Sequence, residues 1–538
     1  MTSEVVIDGQ TLDVEKLVQV ARFDAKVSLS SEAREVMGVS RCVVDGYIYG
    51  CSDSLERAAK YGVTSEKYLA QVRHNAELLG PSGDRVSYGI TTGFGELARV
   101  RVPTADVEQL QYNLIRSHSV GTGPLLSREA VRASMLIRAN TLATGISGVR
   151  PCVVDQIVAF LNAGITPKIP CQGSVGSSGD LAPTAHMALA LIGEGTVEFK
   201  GMDMPSKDAL KSCGLEPLKL EAKEGLSLIN GTQVMTGIGA LAIYDAENLF
   251  KAATISGSMS LEALSGTDAA LDPRIHAARA HKGQGRAADA MRRCVEGSEI
   301  IAGYTRVQDA YSLRCAPQVV GPASDAIEMA RRAANIEMNS ATDNPLVFSD
   351  TAEVKSNGNF HGEPMAMVMD FLKIAVAEIA NVAERRTARL LDSSLSGLPA
   401  FLVNNSGLNS GFMMAQYTSA ALVSENKVLA HPACVDSIPT SANQEDHVSM
   451  GTIAARQCAE MLRNATAVIG IELMISAQGL DFHEKKAGKG CVVAHDYIRR
   501  YVKYLEKDRV LADDIETMRK LVHSGEIVKA VEEVIGEL

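Results

Sequence analysis

PMAMVMDFLKIAVAEIANVAERRTARLL, running from Pro364 to Leu391, repeats apolar residues at the three- and four-residue spacing of one helix face. Proline stands at its start, where the first helical turn has no use for an amide hydrogen. The same spacing recurs through Ser324–Glu337, Gly411–Ala430, Met450–Gln478 and Asp513–Glu537, whereas alternating strand patterns are short and few. The expected fold is therefore all-α, a bundle of long central helices carrying a loop-rich N-terminal portion. We place residues 1–225 in that N-terminal portion and residues 226–538 in the long-helix bundle with its C-terminal helices. Thr452 to Leu473 is apolar around nearly its whole circumference, which implies burial on more than one side and so an oligomer.

The composition excludes several function classes. With 46% hydrophobic and 22% charged residues, the chain is not globally disordered. It contains no Trp, and aromatic residues make up only 4%, which is poor material for stacking single-stranded nucleic acid. A net charge of −11 likewise disfavours polyanions, so no nucleic-acid partner is expected. The first residues, MTSEVVIDGQ, carry acids where a secretory leader needs basic residues, and a cytoplasmic location is expected. The longest uncharged run, Gly225 to Tyr244, is interrupted by Asn230 and Gln233; it reads as a buried segment, not a membrane span. Ten cysteines without a CxxC pair read as reduced thiols.

Chemistry is concentrated in less regular segments. GSVGSSGDLAPTAH, Gly173 to His186, fits neither the dinucleotide glycine pattern, nor a phosphate loop, nor a nucleophile elbow. Read alone, it is a glycine loop capped by Asp180 ahead of a helix containing Pro183. VSYGITTGFG, Val86 to Gly95, mixes β-formers with glycine and reads as a loop. His361, His431 and His447 fit no common zinc spacing and HExxH is absent, so no metal is expected.

These segments, in this order, resemble the aromatic amino acid ammonia-lyases that use methylidene-imidazolone (MIO), with their aromatic ammonia-lyase/fumarase-like fold. In that family an Ala-Ser-Gly tripeptide cyclises by itself: the Gly nitrogen attacks the carbonyl two residues back, and two waters are lost, one of them from the Ser side chain. The resemblance implies that Ser177, Ser178 and Gly179 form this group. Ser177 replaces the usual Ala, but its side chain lies outside the reacting atoms, so ring closure is expected to survive. No phosphate cradle for pyridoxal phosphate is visible.

The resemblance also implies roles for further residues. Tyr88 matches the base that removes the β-proton. Asn230 of INGT, Gln308, Tyr311 and Arg314 of VQDAYSLRCAPQ, and Phe360 of GNFHGEP match other active-site positions. An arginine fork such as Arg314 suits a substrate carboxylate. His118 of NLIRSHSVG matches a position lining the substrate ring. The region Leu408 to Gly451, with SANQEDHVSMG, resembles the branch of the family acting on L-histidine, which yields trans-urocanate and ammonia. Glu445 in that string can accept a hydrogen bond from an imidazole N–H, whereas a phenyl ring would leave it unsatisfied. The family likeness further implies a homotetramer with active sites shared between subunits. The rivals are a sister tyrosine or phenylalanine ammonia-lyase, an aminomutase, and an inactive helical scaffold.

Overall fold

The computed structural model describes residues 4–301 and 307–538. Helices dominate it, and the longest are Gln233–Ala263, Ala316–Glu337, Glu363–Leu391 and Gly451–Leu480. The described strands are pieces of two to four residues, paired in small two- or three-stranded sheets. The all-α expectation therefore holds, and the PMAMV stretch is helical throughout, with Glu363 preceding Pro364 in its first turn.

Two elements differ from their sequence reading. Asp513–Glu537 is two helices, Ala512–His523 and Glu526–Ile535, because the chain turns through a left-handed Gly525 (φ +74°). Apolar spacing continued across that turn because both helices bury a face, so periodicity alone could not find the break. The uncharged run Gly225–Tyr244 is buried as expected, but from Gln233 it also opens a helix of 31 residues.

The chain divides into two compact units. The first comprises Met1–Leu241, Arg331–Met369 and Pro432–Arg456; the second comprises Ala242–Ala330, Asp370–His431 and Gln457–Leu538. In the first unit, the segment Gly50–Pro81 forms the helices Ser54–Lys60 and Glu66–Leu79. They lay Ala58 and Val72 on Val39 and Cys42, so the segment is part of a hydrophobic core. In the second unit, Glu472 is fully buried and pairs with the equally buried Arg386, whose Nη2 donates to Glu472 Oε2 at 2.9 Å. The hydroxyls of Ser256 and Ser260 donate to the same carboxylate at 2.7 and 2.6 Å, completing a satisfied polar cluster among long helices.

Candidate active site

The tripeptide lies in the first unit, in the loop ahead of the helix Leu181–Leu191. Only glycine fits at Gly179: its φ is +76°, and a Cβ there would stand 2.0 Å from the Gly231 carbonyl oxygen. The loop is stitched to the starts of three other helices. Asp180 accepts the amides of Val234 and Met235, at 2.9 and 2.8 Å, at the head of Gln233–Ala263. Gly362 N donates to Gly176 O at 3.2 Å ahead of Glu363–Leu391, and Met450 N donates to Val175 O at 2.8 Å ahead of Gly451–Leu480. Four helix N-termini, counting Leu181–Leu191, thus gather about one loop, and their positive ends favour electron density there. Burial lifts the Asp180 carboxyl to about 6, against the pull of its amide and hydroxyl donors.

The Ser178 carbonyl receives two donors, Asn230 Nδ2 at 3.0 Å and Gly231 N at 3.2 Å. This is the pattern of an oxyanion hole. Arg138 holds that pair from behind: its fully buried guanidinium donates to Ser227 O at 3.0 Å and Asn230 O at 2.6 Å. Burial brings Arg138 down to about 10. A pinned carbonyl with paired donors and a glycine cradle without room for a Cβ fit a tripeptide that closes a backbone ring.

Above the loop is a pocket of about 730 Å³, lined by residues of the first unit alone. It brings together Tyr88, His118, Ser177, Ser178, Asn230, Phe360 and Glu445. Glu445 bridges the tripeptide: Oε1 accepts from Ser178 Oγ at 3.0 Å, while Oε2 accepts from Ser177 Oγ and, at 3.1 Å, from Thr440 Oγ1. A tight loop presents it, closed by the amide bonds Thr440 N to Glu445 O (3.0 Å) and Glu445 N to Thr440 O (3.2 Å). The Tyr88 hydroxyl accepts the Gly95 amide at 3.3 Å. Burial, with Glu445 and Asp343 adding repulsion, raises the Tyr88 phenol above its ordinary range despite that donor. Burial lowers the His118 imidazole, favouring its neutral form.

Gln308, Tyr311 and Arg314 belong to the second unit and are not among the residues lining this pocket. There Arg314 Nε donates to Asp309 O at 3.1 Å, and its guanidinium lies 4.6 Å from the centre of the Tyr311 ring, a cation–π arrangement. Tyr311 is 71% exposed and borders a cavity of about 800 Å³ with Arg385 and Arg389.

The sequence reading missed part of the lining. Leu110 and Leu114 face the pocket from the helix Val107–His118, two turns and one turn before His118. The four-residue steps from Leu110 to Leu114 to His118 were the available signal. Behind the lining, Thr440 and Arg138 gave no signal, since a lone Thr in a polar loop and an Arg within a helix match no motif. Among the described residues, no three His, Cys, Asp or Glu side chains are grouped to hold a metal.

With this geometry in place, the kinship is plain: residues 52–500 match the family described as aromatic amino acid lyase, and the chain belongs to it. Among proteins it resembles is a histidine ammonia-lyase of Alkaliphilus oremlandii, 48% identical over 535 residues, covering 99% of each chain. Among solved structures, a histidine ammonia-lyase from Trypanosoma cruzi is 39% identical with a TM-score of 0.86, covering 98% of this chain and 95% of that one. A tyrosine aminomutase from Streptomyces globisporus is 37% identical with a TM-score of 0.88, covering 99% of each. The backbone therefore does not separate imidazole from phenol chemistry, and the side chains of the pocket must.

Proposed function

We propose that this chain is a histidine ammonia-lyase, converting L-histidine to trans-urocanate and ammonia with an MIO group formed from Ser177, Ser178 and Gly179. The observation that carries the reading is the Glu445 carboxylate, set inside the pocket against the tripeptide. A carboxylate there suits an imidazole N–H and penalises a phenyl ring. The tyrosine aminomutase likeness in fold favours a sister activity, and Glu445 argues against it.

The MIO group, when formed, supplies an electrophile that takes up substrate electrons, so that the amine can leave and the β-hydrogen becomes removable. The chain's own residues do the rest. Asn230 Nδ2 and Gly231 N hold the Ser178 carbonyl, which increases electron demand at the tripeptide. Tyr88 takes the β-proton, and because this environment raises its phenol, a positive charge brought beside it would favour its phenolate. His118 and Phe360 flank the substrate ring.

One requirement goes unmet within the pocket: among the described residues, no Lys or Arg lines it, yet the substrate carries a carboxylate. We assign that role to Arg314, with Gln308 and Tyr311, supplied by a neighbouring subunit of a homotetramer. The exposure of Tyr311 supports this assignment. Ten cysteines without a CxxC pair suit a reducing, cytoplasmic setting. The test is to incubate the purified protein separately with L-histidine, L-tyrosine and L-phenylalanine and follow the ultraviolet absorbance of each conjugated product. Urocanate should dominate, and preferential release of a cinnamate-type product would overturn the reading.

A further inference from the structure

The two oxygens of Glu445 are held differently. Oε2 has two donors, Ser177 Oγ and Thr440 Oγ1, and neither is consumed by ring formation. Oε1 has, among the described residues, one donor, Ser178 Oγ at 3.0 Å. That hydroxyl is the one lost on dehydration. The Ser178 Cβ–Oγ bond breaks, the electron pair of the Cα–H bond becomes the Cα=Cβ bond, and the hydroxyl departs with the released proton as water. Oε1 then faces a pocket of about 730 Å³ without its donor, while Oε2 stays anchored. A half-buried carboxylate oxygen left in this way favours the next N–H that reaches it.

We propose that Ser177 and Thr440 are positioning residues: they fix one oxygen of Glu445 so that the other, vacated when Ser178 loses its hydroxyl, is aimed at the substrate imidazole. The maturing chain thereby keeps its specificity group occupied until the electrophile exists. This proposal rests on the histidine reading above. It makes Ser177 a residue acting through Glu445, distinct from its backbone part in the ring. The hydroxyl contributes direction, as a second donor on an already solvated carboxylate would not.

The test uses the full-length enzyme, with S177A, T440V and S177T each made in the wild type and in an E445A background. Two probes that cannot eliminate ammonia are titrated: 3-(imidazol-4-yl)propionate and 3-phenylpropionate. Intact mass is measured first, and S177A should keep the two-water deficit of the wild type. S177A and T440V should each weaken the imidazole probe about three- to tenfold and leave the phenyl probe unchanged. S177T, which restores a hydroxyl, should recover most of the loss. In the E445A background both effects should vanish, which a merely structural role would not produce. T440V lies outside the tripeptide and carries the test should S177A fail to fold. Equal weakening of both probes, full additivity in the E445A background, or an unaltered imidazole Kd in S177A and T440V alongside a weakened one in E445A overturns the positioning role. An imidazole Kd indifferent to E445A itself overturns instead the histidine reading on which the proposal rests.

Discussion

Asp180 in the first unit and Glu472 in the second are both fully buried carboxylates, but they are satisfied in opposite ways. Glu472 meets the full charge of Arg386 with two serine hydroxyls, and the cluster is electrically closed. Asp180 accepts its hydrogen bonds instead from dipoles, the amides at the start of Gln233–Ala263 and hydroxyls including that of Thr452. Charge matched by charge fixes helices in place. Charge matched by peptide dipoles ties the loop that carries the tripeptide to the head of a neighbouring helix. The first arrangement is architecture, and the second prepares chemistry.

The largest expected effect falls on the reactive side of that contrast. Ser178→Ala has no hydroxyl to lose, so turnover should be abolished while the thermal melt stays near that of the wild type. Intact mass should find the wild type lighter than its sequence by two waters and that deficit altered in the variant; an undiminished wild-type mass would remove the MIO group from the account. Next comes Tyr88→Phe, which deletes one oxygen. Its rate should fall by about two to four orders of magnitude, with substrate affinity kept. A variant retaining most of the wild-type kcat would transfer the base role elsewhere.

The architectural side should respond in stability. Arg386→Met strands the buried Glu472 charge and should cost about 3–5 kcal/mol, read as a lowered denaturation midpoint, while the surviving folded fraction keeps the two-water deficit. Loss of the ring without loss of stability would erase the distinction between the two regions. Asp180 makes a smaller and pH-dependent contribution. Its folded value, about 6, lies above the ordinary carboxylate range, so the folded chain takes up a proton in that window. Stability should therefore fall by about 3 kcal/mol as pH rises from roughly 4 to 6, then level off. Asp180→Asn should flatten that segment of the stability profile, and an unchanged slope would assign the proton to another group.

The same contrast explains what could be read without coordinates. The helix Glu363–Leu391 was legible because burial of a helix face writes a 3.6-residue period into the chain. The division at Gly525 was not, since two amphipathic helices in line keep the period running. In the site, Tyr88, Asn230 and Glu445, named through the family resemblance of their segments, line one pocket. The partners that aim them were not legible: Arg138 reaches Asn230 across 92 residues of sequence, and the Ser177–Glu445 contact spans 268. Such contacts are products of the tertiary fold and leave no local pattern.

The central claim is that a carboxylate beside the tripeptide selects imidazole, and it is tested most directly by measuring kcat/KM for L-histidine and L-tyrosine on the wild type and on Glu445→Gln. The wild type should prefer histidine. The Gln variant should lose about ten- to a hundredfold on histidine, the worth of one charge-assisted hydrogen bond, with any activity on tyrosine unchanged or slightly raised. A wild type that prefers tyrosine, or a Gln variant that handles histidine normally, would contradict it.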